Sequence, residues 1–356
     1  MYKIMTAGPT QVRENVRMAR SLETTNPDLD VAFCEFYKET CDLLQELLHS
    51  SGTAYILGGE GILGLEAACA SLTEPGDRVL VLDNGIFGKG FADFVKMYGG
   101  EPVLFTSDYQ KPIDAAELRA FLEKDSDFKY ATVVHCDTPS GVINDVSVIC
   151  PMLAEFGILS VVDSVAGMFG EYVNVDESQI DILCGGSQKA LSAPAGLTML
   201  WVSDKAMAAM ENRKTPIAAF YANILTFKTY YEDKWFPYTM PISDINGLRV
   251  AVDNVKAEPD IVERHAKIAA ATRQAVRKAG LSLYLKDGYA NTVTVIEVPE
   301  GLTDEQILST MRDKYNVMIS GCFDVLAGKV IRIGHMGENA NVDDMAMTLD
   351  AMDKTF

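Results

Sequence analysis

Short apolar runs rich in valine, isoleucine and leucine recur along the first two thirds of the chain. Between about residues 53 and 203 they occupy positions 53–57, 78–82, 102–105, 131–134, 159–162, 181–184 and 197–202. The runs are continuous and are bounded by turn residues, so polar positions do not alternate with apolar ones. This pattern predicts strands buried on both faces, which is typical of parallel sheets covered by helices.

Segments of helical length separate these runs. Apolar side chains at helical spacing predict helices over 63–72, 89–98, 115–123 and 148–156, and the Thr-Glu-Pro-Gly-Asp stretch at 73–77 predicts a stop and a turn. Alternating strands and helices over this length predict a doubly wound α/β domain with a mainly parallel sheet. Ligands of such sheets bind beyond the carboxyl ends of the strands.

The pattern changes after Pro241. Helical spacing then predicts helices over 244–255, 259–279 and 342–352. Strand-like runs cover 292–298, 317–320 and 330–333. We therefore predict three parts, namely an N-terminal arm that packs with the small domain (1–15), a large domain (16–254) and a small α+β domain (255–356).

Composition narrows the possible partners. The apolar fraction is 48% and the charged fraction 23%, as in ordinary globular proteins. The formal net charge of −19 disfavours nucleic acid or an anionic membrane surface as a partner, because phosphate contacts require a basic face. The first residues lack the apolar core of a signal peptide, and no apolar run approaches the roughly 18 residues of a membrane span. We expect a cytoplasmic protein.

Cysteine and histidine usage points away from disulfides and metals. The seven cysteines are an odd number and contain no Cys-x-x-Cys pair, which predicts reduced and mostly buried thiols. Neither they nor the four histidines show metal-ligand spacing, so we predict no metal site.

Lys189 is the first residue with candidate chemistry. It follows one apolar run and precedes another, within Gly-Gly-Ser-Gln-Lys-Ala-Leu-Ser-Ala-Pro-Ala-Gly at 185–196. Small neighbours let the backbone pass close to a bound ring, and Ser187 can hydrogen-bond nearby. A lysine whose pKa is depressed by burial can attack an aldehyde. The alternative is a surface lysine in a loop.

Asp163 ends the apolar run at 159–162. A carboxylate at the end of a buried strand is unfavourable unless it meets a cation. A pyridinium nitrogen is such a cation, and pairing with it keeps the ring protonated and electron-withdrawing. A helix cap or loop carboxylate is the alternative for Asp163 alone. A strand that ends in Asp, followed by a strand that leads into Ser-x-Lys, indicates such a site more specifically than either motif alone.

With this pair the chain resembles the class V, fold-type-I pyridoxal-phosphate aminotransferases, over nearly its whole length. The resemblance implies a seven-stranded large domain and a homodimer, or a tetramer, with active sites at the interface. It implies that Lys189 forms the Schiff base, that Asp163 pairs with the ring nitrogen, and that Phe87 stacks on the ring. The other positions that it places around the ring are Gly61, Thr138, Ser187, Gln188 and Thr239.

Two positions depart from the usual family pattern. Glu60 stands where a phosphate-binding serine or histidine is expected, at the start of the first large-domain helix. A carboxylate there would repel a phosphate, although a glutamate in a first helical turn can also point to solvent. Phe236 replaces a tyrosine that reaches the phosphate of the partner subunit, whereas Thr239 is retained.

Both departures resemble the branch of the family that transfers an amino group between free pyridoxamine and pyruvate, giving pyridoxal and alanine. That branch implies that Glu60 accepts a hydrogen bond from the ring's free hydroxymethyl group. Arg332 corresponds to the arginine that binds the substrate carboxylate, but the second arginine of the branch is missing from the 320–326 loop. The identity of the keto acid is therefore not predicted by the sequence.

Three alternatives remain. The first is an ordinary pyridoxal-phosphate-dependent alanine, serine or glyoxylate aminotransferase. The second is a cysteine desulfurase-like enzyme, in which Cys322 would carry sulfur; Asp324 beside it disfavours a reactive thiolate. The third is a pyridoxal-binding regulatory protein, which the presence of Lys189, Asp163 and Arg332 disfavours.

Overall fold

The seven apolar runs form one sheet in the computed structural model, which describes residues 2–356. The strands are β1 (Lys3–Ile4), β2 (Thr53–Gly58), β3 (Arg78–Asp83), β4 (Glu101–Thr106), β5 (Tyr130–Val134), β6 (Cys136–Asp137), β7 (Val142–Ile143), β8 (Leu159–Asp163), β9 (Ile182–Gly186), β10 (Leu197–Val202), β11 (Val293–Glu297), β12 (Val317–Met318) and β13 (Val330–Gly334). The order in the large sheet is β2-β10-β9-β8-β5-β3-β4. Only β10 is antiparallel to its neighbours, which confirms the predicted mainly parallel α/β fold.

The chain contains helices that cover both faces of this sheet and, near its end, helices that pack on a second core. They are α1 (Glu14–Ala19), α2 (Val31–Leu47), α3 (Gly61–Leu72), α4 (Ile86–Met97), α5 (Ala115–Leu122), α6 (Val146–Glu155), α7 (Asp204–Glu211), α8 (Tyr230–Asp233), α9 (Ile242–Lys256), α10 (Ile261–Lys278), α11 (Asp304–Tyr315) and α12 (Val342–Asp353). Helix α2 was not among the predicted elements. Asp30 caps its first turn, and its buried side chains include Phe33, Tyr37, Cys41 and Leu44, which share one helical face.

The apolar runs are continuous because both faces of each central strand are covered. All residues of β5 and of β10 are buried, and Trp201 in β10 is fully buried against α2. Six of the seven cysteines are buried as free thiols, and Cys322 is partly exposed. Within residues 2–356, no helix combines the length and the apolarity that a membrane crossing requires.

The C-terminal part contains a second, smaller apolar core beneath α10, α11 and α12. Strands β11 and β13 pair antiparallel, and the N-terminal β1 pairs with β12. Met5 N–H donates to Met318, and Gly334 N–H donates to Met5, both at 2.8 Å. A side chain at Gly334 would lie 1.9 Å from the Thr6 carbonyl, so glycine is required there. The predicted domain boundary falls in the last turn of α9.

Candidate active site

A cavity of about 240 Å³ opens at the carboxyl ends of the central strands. Glu60 follows β2, Asp163 ends β8, and Lys189 follows β9. The residues that line the cavity are Glu60, Ile62, Leu65, Phe87, Cys136, Thr138, Asp163, Val165, Ala166, Gln188 and Lys189. Six residues predicted from distant parts of the sequence thus share one cavity.

Lys189 is held at the cavity by the N-terminal arm. Its Nζ donates a hydrogen bond to the Ala7 carbonyl at 2.8 Å, and its own carbonyl accepts one from Thr10 Oγ1 at 2.9 Å. Gly8 has a φ of +100°, and a Cβ there would lie 2.4 Å from Lys189 Nζ. Burial lowers the pKa of Lys189. The contact with Ala7 was not predicted, because no local pattern links residues so far apart.

Asp163 is a buried carboxylate with few partners. Within the described part of the chain, the only hydrogen bond to the carboxylate oxygens comes from Val165 N–H, at 2.9 Å. Burial raises the pKa of Asp163 to about 7, with that hydrogen bond and the charge of Lys189 acting in the opposite direction. A group in this state gains strongly from a cation placed beside it.

Phe87 and Thr138 stand on the walls of the cavity. Phe87 is held at the start of α4, where its backbone N–H lies 3.4 Å from Asp137 Oδ1. Asp137 is buried and accepts from the N–H and the hydroxyl of Ser140, at 3.1 and 2.7 Å. Only glycine fits at position 85, because a Cβ there would lie 2.5 Å from Asp137 Cγ. Asp137 was not predicted as a site residue, although its place directly after a buried strand was a usable signal.

Glu60 caps helix α3 from inside the cavity. Its Oε1 accepts from Ile62 N–H at 3.1 Å, and its Oε2 accepts from Gln188 Nε2 at 2.7 Å. Both carboxylate oxygens are therefore held at the cavity wall. The next residue, Gly61, lets α3 approach the loop after β8, since a Cβ there would lie 2.7 Å from Val165.

The two residues before Lys189 differ in their contacts. Ser187 Oγ donates to the Pro194 carbonyl at 2.6 Å and accepts from Leu197 N–H at 3.3 Å, so it braces the loop. Gln188 lines the cavity, and its Oε1 is buried without a hydrogen-bond partner in residues 2–356.

Arg332 lies beside the cavity on β13 and is 8% exposed. Its Nε donates to the Gly321 carbonyl at 2.8 Å, and its Nη1 lies 3.3 Å from the Thr138 carbonyl. Its Cζ is 5.8 Å from the centre of the Phe323 ring, which in turn is 6.0 Å from the Phe87 ring. Burial lowers the pKa of Arg332. Phe323 was not predicted as a site residue.

Thr239 and Phe236 lie away from the cavity of their own chain. Thr239 Oγ1 donates to Asp28 at 2.8 Å on the surface. Phe236 is buried, with its ring 4.9 Å from Tyr37 and 5.4 Å from Tyr230. Core packing thus explains the phenylalanine, and its missing hydroxyl carries no argument about a phosphate.

Cys322 is half-buried, with its Sγ 3.9 Å from the Pro139 carbonyl. Burial raises its pKa, although the charge of Arg332 acts in the opposite direction. This environment disfavours the thiolate that sulfur transfer requires. Among residues 2–356, no three His, Cys, Asp or Glu side chains are grouped to bind a metal ion.

Residues 29–328 match the family model described as aminotransferase class-V. The chain belongs to this family. This class-V aminotransferase is 36% identical to a pyridoxamine–pyruvate transaminase of Mesorhizobium japonicum, over 94% of its own length and 86% of that protein. Class-V aminotransferases use pyridoxal phosphate.

Solved structures of aminotransferases have the same fold. The pyridoxamine–pyruvate aminotransferase of Mesorhizobium loti superimposes with a TM-score of 0.95 at 33% identity, covering 99% of this class-V aminotransferase and 91% of that chain. The ureidoglycine–glyoxylate aminotransferase of Bacillus subtilis gives 0.96 at 28% identity, covering 100% and 92%. The predicted family and the fold-type-I architecture are thereby confirmed.

Proposed function

We propose that this class-V aminotransferase transfers an amino group between free pyridoxamine and a small keto acid such as pyruvate, giving pyridoxal and alanine. The observation that carries the proposal is the Glu60 carboxylate at the start of α3. The 36% identity to a protein named for this reaction supports it.

A helix start of this kind normally favours an anion, because its first backbone N–H groups are free and the helix dipole is positive there. Here the Glu60 carboxylate already accepts from Ile62 N–H and from the Gln188 amide. A phosphate charge about 4 Å from this carboxylate would cost on the order of 4 kcal/mol at an effective dielectric constant near 20. A free hydroxymethyl group can instead donate a hydrogen bond to Glu60.

The rest of the cavity fits a pyridoxal ring. Asp163 is a buried carboxylate without a paired cation in residues 2–356, and a protonated ring nitrogen supplies one. The Phe87 side chain provides an aromatic wall, and Thr138 provides a hydroxyl for the ring substituents. When bound, the ring supplies a carbonyl or amine carbon and an electron-withdrawing pyridinium group.

Lys189 is the residue that we assign to covalent attachment and to proton transfer. Its lowered pKa increases the fraction of neutral amine, which can accept a proton from the exocyclic carbon of the ring and return it to the α-carbon that comes from the keto acid. Asp163 holds the proton on the ring nitrogen, so that negative charge is stabilised as the proton leaves the exocyclic carbon.

Arg332 is the residue that we assign to the substrate carboxylate. Its Nε and Nη1 are held by the Gly321 and Thr138 carbonyls, while Nη2 makes no hydrogen bond within residues 2–356. The guanidinium is therefore oriented but still has donors for an anion. A single guanidinium at this place favours a keto acid with one carboxylate.

We also expect the protein to act as a homodimer. The surface segment that leads to Thr239 exposes large aromatic side chains, including Phe220 and Tyr221, which are 62% and 54% exposed and whose ring centres are 6.1 Å apart. Large exposed apolar side chains close together are typical of protein interfaces. Covering them with a second copy is the way in which Thr239 could reach a cavity, namely that of the partner.

The second candidate is an ordinary phosphate-dependent aminotransferase. Its support is the equally close fold of the enzyme named ureidoglycine–glyoxylate aminotransferase. In that case Glu60 would have to turn away from the cavity when the phosphate binds. The positions of Arg332 and Lys189 are compatible with both candidates.

Titration of the dialysed protein with pyridoxal and, separately, with pyridoxal phosphate separates the two. Bonding to a lysine amine changes the visible absorbance of either aldehyde. The proposal expects saturable binding of pyridoxal, with pyridoxal phosphate weaker by a factor of at least about 100. Tight binding of pyridoxal phosphate that survives dialysis would favour the second candidate. A coupled assay for alanine formed from pyridoxamine and pyruvate tests the reaction itself.

A further inference from the structure

Gln188 connects the start of helix α3 to the loop that carries Lys189. Its Nε2 donates to Glu60 Oε2 at 2.7 Å. Its carbonyl accepts from Thr10, at 3.0 Å from the backbone nitrogen and 3.3 Å from Oγ1. The amide group thus extends from an anchored backbone to the Glu60 carboxylate.

We propose that Gln188 is a positioning residue, which holds the Glu60 carboxylate over the start of α3 and so sets the preference for a ring without a phosphate. This inference rests on the proposed function. It assigns the selectivity to a pair of residues, in which Glu60 carries the negative charge and Gln188 holds that charge in place.

The helix cap alone does not hold Glu60 in this place. Glutamate is not among the residues that cap helices best, because its longer side chain loses more rotational freedom when it is fixed. One hydrogen bond from Ile62, at 3.1 Å, leaves the second carboxylate oxygen free to turn. The charge-assisted bond from Gln188 fixes that oxygen as well, and such bonds are roughly twice as strong as neutral ones.

The other end of the same amide is left without a partner. Gln188 Oε1 is buried and accepts no hydrogen bond within residues 2–356. Leaving a buried acceptor unpaired costs about 1–3 kcal/mol. Turning the amide over would place Oε1 against the Glu60 carboxylate, where two acceptors repel each other. The orientation with an unpaired Oε1 is therefore the one that Glu60 requires.

The resulting arrangement presents an acceptor, the Glu60 carboxylate, to the ring substituent. The Ile62 N–H and one N–H of the Gln188 amide are bonded to Glu60, which retains acceptor capacity. A phosphate has no proton to donate in its dianionic form, whereas an alcohol donates one. Gln188 thus favours the alcohol by keeping the Glu60 carboxylate in place.

The test compares Gln188→Leu in two backgrounds, the natural protein and the Glu60→Ser variant. Binding of pyridoxal and of pyridoxal phosphate is measured in all four proteins. In the natural background, Gln188→Leu should weaken the binding of pyridoxal about tenfold relative to the binding of pyridoxal phosphate. In the Glu60→Ser background, the same substitution should leave that ratio within about twofold. The KM for pyridoxamine should rise, with kcat and the KM for the keto acid unchanged within about twofold.

Gln45→Leu is the matched control. Gln45 also donates a side-chain amide hydrogen bond, in its case to the Gly52 carbonyl, at the other end of β2 from Glu60. It should change neither the binding ratio nor the KM for pyridoxamine. If Gln188→Leu does not fold, Gln188→Asn serves instead, because its shorter side chain removes the bond to Glu60 Oε2 without adding a charge and should shift the ratio in the same direction.

The outcomes separate this inference from the proposed function. Tight binding of pyridoxal phosphate by the natural protein, or no effect of Glu60→Ser, would overturn the proposed function. A clear effect of Glu60→Ser without any change of ratio in Gln188→Leu would overturn the role of Gln188 alone. An equal loss of affinity for both ligands, in both backgrounds, would make Gln188 a structural residue and overturn the inference as well.

Discussion

Two parts of the cavity lining differ in how far their charged side chains already have partners. In one part of the lining, which we call the floor, Asp163 is buried and Lys189 is partly buried, both have few partners, and desolvation moves both pKa values towards neutrality. In the other part, which we call the rim, both carboxylate oxygens of Glu60 accept hydrogen bonds, from Ile62 N–H and from the Gln188 amide. Charged groups without partners can bind any ligand that supplies an opposite charge, whereas a charged group that is already held in place discriminates between ligands. The floor therefore fits any pyridoxal ring, and the rim selects among its substituents.

The largest effect should come from Lys189→Ala at the floor. General acid–base catalysis by one residue contributes about 10²–10⁴-fold, and covalent attachment is lost in addition, so we expect kcat to fall by at least about 10³-fold. Single-turnover measurement of pyridoxal formation, with added methylamine to replace the amine, checks the assignment. A variant that keeps more than a tenth of the activity would remove Lys189 from the chemistry.

Asp163→Asn should lower kcat by about 10²-fold, because the ring nitrogen loses its negative partner. The natural protein should also show a pH effect of defined sign. Below a pH of about 7, Asp163 is protonated in the free protein and must release its proton to pair with a protonated ring. The affinity for pyridoxal should therefore weaken as the pH falls below 7, approaching tenfold per unit.

Glu171→Gln is the control for that pH effect. Burial raises the pKa of Glu171 to about 7 as well, but it accepts from Asn291 outside the cavity. Asp163→Asn should abolish the slope and Glu171→Gln should preserve it. A slope that survives in Asp163→Asn would assign the titration to another group.

Arg332→Lys should raise the KM of the keto acid and of alanine by about tenfold, because a lysine cannot form a bidentate pair with a carboxylate. The KM of pyridoxamine should stay unchanged, since Arg332 does not line the cavity. Steady-state kinetics with each substrate varied in turn provide the measurement, with Arg312→Lys on the exposed face of α11 as the control. Equal changes in both KM values would indicate a disturbed fold.

Phe236→Tyr should have the smallest effect on ligand binding. The ring lies among Tyr37, Tyr230 and Phe33, so an added hydroxyl should reduce the free energy of unfolding by about 1–3 kcal/mol without changing the affinity for pyridoxal phosphate. Thermal unfolding and ligand titration measure the two quantities. A gain of tenfold or more in that affinity would show that this position reaches the cavity of a second copy after all.

The fold and the strand-end residues were predictable because both follow from local patterns. Continuous apolar runs gave all seven strands of the large sheet, and the polar residues that follow them include Glu60, Asp163 and Lys189. The contacts of these residues were not predictable. Ala7 and Lys189 are 182 positions apart, and Glu60 and Gln188 are 128 apart, so no spacing rule relates them. Phe236 shows the converse, because its missing hydroxyl was interpreted as a sign of a missing phosphate, whereas the ring packs in the core of its own chain.

The most direct measurement of the central claim is the ratio of the dissociation constants of pyridoxal phosphate and pyridoxal in the natural protein and in Glu60→Ser. The repulsion at the rim predicts that the natural protein prefers pyridoxal by at least about 100-fold, and that Glu60→Ser loses most of this preference. The Lys189 absorbance change should persist in the variant, because the floor is intact. An unchanged ratio in Glu60→Ser would contradict the claim that Glu60 excludes the phosphate.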